Sequence, residues 1–289
     1  MTDDPIVVVG AARTPIGGFQ GALTGASGPH LGASAIEAAL ERSGVAVDTI
    51  DEVLMGCVLA AGQGQAPARQ AALGAGLPLG VGCTTVNKMC GSGMKAVMLA
   101  HDQIQAGSST IVVAGGQESM TNAPYLLPRA RSGLRLGHAD VIDHMFLDGL
   151  EDAYEPGRLM GSFAEDCADH YSFSREDQDD YAIESLTRAT EAIESGAFAS
   201  QITRVTVSTR GEDVTVDTDE QPQTANIEKI PQLKPAFRKG GTVTPANSSS
   251  ISDGAAALVL MRLSEAERGG HGPLAKILGH RSFAHEPGW

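Results

Sequence analysis

The stretch TTVNKMCGSGMKAV, residues 84–97, passes from β-branched to glycine-rich to helix-forming residues within a few positions. Thr84–Asn87 reads as a strand. Gly91 and Gly93 let the chain turn tightly. Met94–Gln105, with Met94, Val97, Met98 and Ile104 recurring on one side, reads as a helix that stops at Gly107. Strand, turn and helix in that order are the repeating unit of layered α/β domains. Working outward, Ile6–Val9 and Ile111–Val113 are β-branched runs that lead into Gly and Ala, as strands buried on both faces do. Leu31–Arg42 is Ala-rich, carries Ile36 and Leu40 one turn apart, and stops at Gly44. Strand-like and helix-like segments alternate in this way to about residue 118, which makes the domain α/β.

The pattern then breaks. Met120–Gly161 has little periodicity and places Arg129, Arg131 and Arg135 close together, so it reads as an excursion out of the sheet. An irregular stretch of that length is usually functional or part of an assembly. A marked helix follows, with Ser174 as N-cap, Glu176, Asp177 and Asp179 at its positive end, and an apolar stripe of Ala182, Leu186, Ala189 and Ile193 ending at Gly196. Ile202–Ser208 and Val214–Asp217 alternate like half-exposed strands. Sheet resumes at Asp253–Met261, a short helix is expected at Ser264–Arg268, and Leu274–His285 resembles one more strand. The sequence shows no internal repeat.

Composition limits the function. The 289 residues carry a formal charge of −14, from 35 acidic and 21 basic side chains. Nucleic-acid binding needs basic surface to displace counterions, so no nucleic-acid partner is expected. No apolar run reaches the roughly 18 residues of a membrane helix. The acidic start MTDDPIVVVG is unlike a signal peptide, so a cytoplasmic location and no membrane partner are expected. Cys57, Cys83, Cys90 and Cys167 are widely spaced, without a CxxC pair or a His/Cys cluster, and no metal site or disulfide framework is expected.

Cys90 carries the chemistry. It stands where a strand turns into a helix, the arrangement of a nucleophile elbow with sulfur in place of oxygen. The helix amino end offers free N–H groups and positive potential, which favour a thiolate. That effect is about 1 kcal/mol, under one unit from a thiol value of about 8.5, so the thiol stays mostly protonated near neutral pH. A paired base is therefore required for acyl transfer. Histidines 30, 101, 138, 144, 170, 271, 280 and 285 are the candidates, and none has a recognisable carboxylate or amide partner in the sequence. His101 reads as structural or surface. The serines of SSSISDGAAA lack a GxSxG context and read as a turn before a buried strand.

Six motifs in order resemble the thiolase family: VVVGAARTPIGGFQGAL at 7–23, VNKMCGSGMKAV at 86–97, AGGQESMTNAPYLLPRAR at 114–131, GRLMGSFAEDCA at 157–168, SREDQDDYAIES at 174–185 and KPAFRKGGTVTPANSSSISDGAAALVLM at 234–261. The resemblance is nearest to the acetyl-CoA C-acetyltransferase branch. It implies a layered α-β-α half-fold with a mixed five-stranded sheet (residues 1–118 and 250–270) and an inserted loop domain (119–249). Residues 271–289 would be the first strand of a second half-fold that is otherwise missing. It implies that Cys90 takes an acetyl group from acetyl-CoA, that a second acetyl-CoA condenses with it, and that the reverse reaction is thiolysis. By motif, Leu150, Met160, Phe237 and Ser249 should line the channel for the pantetheine arm. Coenzyme A enters as part of the substrate, so no separate cofactor is expected, and a homodimer or tetramer is.

Two departures from the family pattern stand out. Leu159-Met160-Gly161 occupies the place of His-Met-Gly, and Gln223 stands where an arginine is common. The adenine or phosphate end would then fall to Lys229, Lys234 or Arg238, which have an equal claim to be solvated charge. The Asn-Glu-Ala-Phe, Gly-His-Pro and Cys-x-Gly-Gly-Gly strings of the family are absent. The expectation that follows is a chain inactive by itself and prone to self-associate. A degradative 3-ketoacyl-CoA thiolase, a non-catalytic CoA-binding or assembly module and, more remotely, a β-ketoacyl-carrier-protein synthase are the competing readings.

Overall fold

The β-branched runs become the strands of one mixed sheet in the computed structural model, which describes residues 4–209 and 211–289. In chain order the strands are β1 (Ile6–Arg13), β2 (Gly17–Gly18), β3 (Glu52–Gly56), β4 (Gly82–Val86), β5 (Val112–Ser119), β6 (Tyr125–Leu126), β7 (Ile142–Asp143), β8 (Val205–Thr209), β9 (Glu212–Val216), β10 (Ser252–Arg262) and β11 (Ala275–Lys276). The sheet order is β11-β1-β10-β5-β3-β4, with β2 paired to the start of β10. Strand β3 runs parallel to β4 and β5, whereas β10 is antiparallel to β5 and β1. The expected five strands are β1, β3, β4, β5 and β10; the short β2 and β11 raise the sheet to seven among the described residues.

Helices cover both faces, because successive strand residues point to opposite sides. Val7 and Val9 of β1 join a core with α1 (Gly28–Ser43) and α2 (Pro67–Gly74), while Ile6 and Val8 join a second core with α3 (Ser92–Ala106). Helix α1 is capped by Ser27, which accepts from the His30 N–H at 3.3 Å, and ends at Gly44. Between β5 and β10 the chain leaves the sheet, as expected. The stretch read as irregular contains the β6–β7 pair and a π-helical turn at Phe146–Leu150. Next come α4 (Met160–Tyr171) and α5 (Arg175–Glu194), the latter with a capping box in which Ser174 and Asp177 satisfy each other's backbone. The β8–β9 hairpin and α6 (Glu220–Thr224) lead back toward the sheet. Helix α7 (Leu263–Gly269) follows β10.

The excursion is tied to the sheet by charged and polar contacts. Arg13 at the end of β1 donates to both carboxylate oxygens of Asp219, at 2.7 and 2.9 Å, and Asp219 also accepts from the Ile16 N–H. Glu220 accepts from the Gly18 and Ala22 N–H groups.

The strand expected over Leu274–His285 forms only at Ala275–Lys276. It adds to the open edge of β1, where Leu274 N donates to Val8 O at 2.7 Å and Ile277 N to Ile6 O at 3.0 Å. An unpaired sheet edge accepts any extended segment that reaches it. Past Ile277 the pairing stops, and Leu278 and Phe283 stay exposed. No helix among the described residues is long and apolar enough to cross a membrane.

Candidate active site

Cys90 lies beyond the carboxyl end of β4, where the parallel strands β3, β4 and β5 all finish. Open α/β sheets bind ligands at that end. Its thiol is exposed, and no described residue hydrogen-bonds Sγ. The sharp turn expected at the glycines is made two residues before the first of them, by Met89, whose φ of 48° is in the left-handed region. That backbone is held from both sides. Asn87 Oδ1 accepts from Met89 N at 3.0 Å; Ser92 Oγ accepts from Lys88 N at 2.9 Å and donates to Met89 O at 2.6 Å. Ser92, buried, is thus a positioning residue that the sequence did not single out.

Helix α3 reaches the sheet because glycines face each other. A Cβ on Gly56 at the end of β3 would lie 2.5 Å from Gly93 N, a backbone atom with no room to yield. The amino end of α3 therefore rests directly on β3, which fixes how far Cys90 projects. The loop after β3 is fixed in turn by Glu118 near the end of β5, which accepts from Val58 N and Leu59 N at 2.8 and 3.0 Å. Asn87 Nδ2 donates to Val58 O at 3.5 Å, so one chain of contacts runs from Glu118 to the turn before Cys90.

The other thiols differ. Cys57 is buried, and burial together with the neighbouring Glu118 charge pushes it up to about 12. Burial likewise raises Cys83. Both are held as inert thiols.

Leu150, Met160, Phe237 and Ser249 come from four separate segments and line one cavity of about 720 Å3. Leu150 closes the π-helical turn, a feature often found at functional sites. Met160 and Gly161 open α4. Phe237 lies across Gly161, and Ser249 sits on the 245–250 segment. Leu159, where a histidine is common, contributes apolar surface here, as do Phe19 and Phe146. Cys90 is not on this lining.

The walls are built from buried polar groups that sequence reasoning missed. Glu165 of α4 accepts from Thr242 N and Val243 N and pairs with Arg238, holding the strand of chain that carries Phe237. Asn247 donates to the buried Asp179 at 2.9 Å and to Thr242 O at 3.0 Å, which presents Ser248–Ser250 to the cavity. Nothing in single residue types marks such anchors; only their burial does.

A second cavity, about 770 Å3, adjoins the first along Pro245 and Asn247–Ser250. Its lining includes Tyr181, Leu186, Pro222 and Lys229. Of the three cations considered for the phosphate end, Lys229 lines this cavity, whereas Lys234 lies on a separate surface hollow. Arg238 is committed elsewhere, donating to both oxygens of Asp169 at 2.7 and 3.0 Å. Gln223 is exposed on α6.

Histidine placement also corrects the sequence reading. His144 does have a carboxylate partner, Asp148, at 2.7 Å. His101 and His280 meet each other and Asp102. None of these reaches Cys90 Sγ by a hydrogen bond.

The chain is similar in sequence to known proteins. The thiolase amino-terminal domain matches residues 6–264. The chain is 48% identical to an acetyl-CoA acetyltransferase of Pseudomonas aeruginosa over 98% of its own length and 72% of the relative's. It is 52% identical to acetyl-CoA acetyltransferase 2 of Arabidopsis thaliana, covering 98% of this chain and 70% of that one. With the mitochondrial acetyl-CoA acetyltransferase of mouse the identity is 45%, covering 99% and 67%.

Proposed function

Because the chain belongs to the thiolase family, we propose that it works as an acetyl-CoA C-acetyltransferase with Cys90 as the acyl-accepting thiol. The carrying observation is the convergence of Leu150, Met160, Phe237 and Ser249 on one apolar cavity. A pantetheine arm is a run of methylenes and amides, and an apolar lining with hydroxyls at one side suits it. The adjoining cavity with Lys229 is the place for the nucleotide end. Cys90 Sγ attacks the thioester carbonyl, and coenzyme A leaves with the proton. A second acetyl-CoA gives up a C2 proton to a base, its carbanion attacks the acyl-enzyme carbonyl, and acetoacetyl-CoA departs as the Cys90 sulfur takes a proton back. Thiolysis is the reverse.

The proton of Cys90 needs an acceptor that no described residue provides by hydrogen bond, so turnover by these 289 residues alone is slow in this proposal. Assembly into a homo-oligomer belongs to the same reading; its support is the apolar surface of the excursion, where Leu136 is 98% exposed and Tyr125 and Val141 are also open to solvent.

The test is acyl capture. Incubation with acetyl-CoA should add one acetyl group to the tryptic peptide containing Cys90, as read by mass spectrometry, and Cys90→Ser should abolish the thioester. Acetylation of another residue with Cys90 unmodified would reject the assignment. Comparing acetoacetyl-CoA with longer 3-ketoacyl-CoA esters decides between the biosynthetic and degradative readings.

A further inference from the structure

Three ligand-bearing atoms converge where the segment after β11 meets α3, eleven or more residues along the chain from the thiol. His280 Nε2 lies 3.2 Å from His101 Nδ1 and 2.9 Å from Asp102 Oδ1, and those two lie 3.4 Å apart. All are within 4.8 Å of one another. A tetrahedral zinc ion with bonds of about 2.0–2.1 Å places its ligand atoms roughly 3.3–3.4 Å from each other. The observed triangle is close to one face of that tetrahedron.

Two ring N–H groups donating to Asp102 Oδ1 would leave the ring nitrogens 3.2 Å apart with no bond between them. A cation at the centre would satisfy all three atoms at once. The two imidazole rings meet nearly edge to face, with planes at 84° and centroids 4.9 Å apart. The imidazoles are one-fifth to one-quarter exposed and Asp102 is about half exposed, so an ion and one water have access. Two imidazoles and a carboxylate are a donor set for zinc and its first-row neighbours rather than for calcium or magnesium.

We propose that His101, Asp102 and His280 form a zinc-type divalent-cation site that clips the segment after β11 to α3. The fourth position is left to water. His280 is 178 residues from Asp102 in sequence, so the site closes a long loop, the situation in which a metal clip restricts the unfolded chain most. It also restrains the helix whose amino end positions Cys90, without touching the sulfur.

The probe is Co2+, added to the chain with the exposed Cys90 thiol blocked by brief iodoacetamide treatment so that ligation by that sulfur is excluded. One equivalent should bind with the visible d–d bands of four-coordinate cobalt, Zn2+ should displace it, and Zn2+ should raise the thermal unfolding midpoint in a concentration-dependent way. His101→Ala and His280→Ala should each weaken Co2+ binding by more than about 100-fold, beyond the 10–100-fold cost of losing an outer-shell partner. Asp102→Asn, at a largely exposed position, provides a variant whose folding is not in question and should also bind weakly. His271→Ala, outside the triangle, should bind as the parent does. Failure of the parent chain to bind one equivalent, or equal binding by the His280→Ala and Asp102→Asn variants, would overturn the site.

Discussion

Gly161→Ala tests the cavity at the point where its geometry is tightest. Within a helix, alanine is favoured over glycine by about 1 kcal/mol, so on propensity alone this substitution in the first turn of α4 should stabilise. The surroundings say otherwise. The new Cβ would stand 2.3 Å from Phe237 Cε2 and Cζ and 2.4 Å from Cδ2. Carbon atoms pack at about 3.5–4.0 Å, so the ring must retreat by more than about 1 Å. Its backbone has little freedom to follow, because Ala236 N is bonded to Val243 O and Val243 N to Glu165. The ring lines the cavity of about 720 Å3, which is open space for it to enter.

In the free protein that displacement costs little, since it enters empty space. A bound pantetheine arm has to push the ring back against the methyl group. Overpacking of this kind costs about 1–3 kcal/mol, which becomes a roughly 5- to 150-fold rise in Kd for coenzyme A. Isothermal titration of coenzyme A into the parent and the variant reads this directly, with thermal unfolding and Cys90 alkylation as controls that should barely change. A second substitution sharpens it. Phe237→Leu removes the ring atoms that clash, so adding Gly161→Ala to that background should cost little more, a non-additivity of contacting residues. If Gly161→Ala is folded and binds coenzyme A as tightly as the parent, the pantetheine arm does not lie against Phe237 and the cavity assignment fails.

The remaining predictions concern reactivity, stability and pH. Brief iodoacetamide treatment of the native chain should modify the exposed Cys90 at least about tenfold faster than Cys57, which is buried and held as a thiol; peptide mapping showing Cys57 first would reverse the assignment. Glu165→Ala strips Thr242 N and Val243 N of their acceptor and should lower unfolding free energy by about 2–5 kcal/mol in urea titrations, whereas a loss under 1 kcal/mol would mean the loop is held by other contacts. Asp219 is raised by burial but lowered more strongly by the Arg13 guanidinium and the Ile16 N–H, leaving it below the ordinary carboxylate value. A carboxyl depressed in the folded state stabilises above about pH 4 and loses that contribution as pH falls through its folded value. Asp219→Asn should therefore make the acid limb of the stability curve less steep by that one contribution; an unchanged acid limb would assign the effect to other carboxylates.

Local patterns carried much of the fold. The stops at Gly44 and Gly107, the Ser174 cap and the runs at Ile6 and Val112 are each decided by a few neighbouring residues, and each appears where the pattern put it. The segment from Leu274 was misjudged in extent because strand length depends on the partner edge. Only the residues opposite Val7 and Val8 find one. At the site, Cys90 was singled out through motif order but stands off the cavity lining; the four cavity residues were legible in the same way, because motif order already encodes their meeting. The anchors behind them were not. Glu165, Asp179 and Asn247 look like surface polar residues in sequence; their roles come from the burial of the two carboxylates and from partners brought in from 68 to 78 residues along the chain. The His101–Asp102–His280 triangle escaped for the same reason, since two of its members are neighbours and the third arrives from the far end of the described chain.

The structure also separates two tasks that a nucleophilic thiol requires. Position is supplied thoroughly: the left-handed turn at Met89, the bonds from Asn87 and Ser92, and the contact of α3 with β3 at Gly56 leave Cys90 one place to be. Activation is not: among the described residues none hydrogen-bonds Sγ, and efficient acyl transfer by a thiol takes a paired base. The described residues thus account for where the sulfur stands. They predict single acylation of Cys90 well ahead of sustained condensation, because holding a thiol still does not remove its proton.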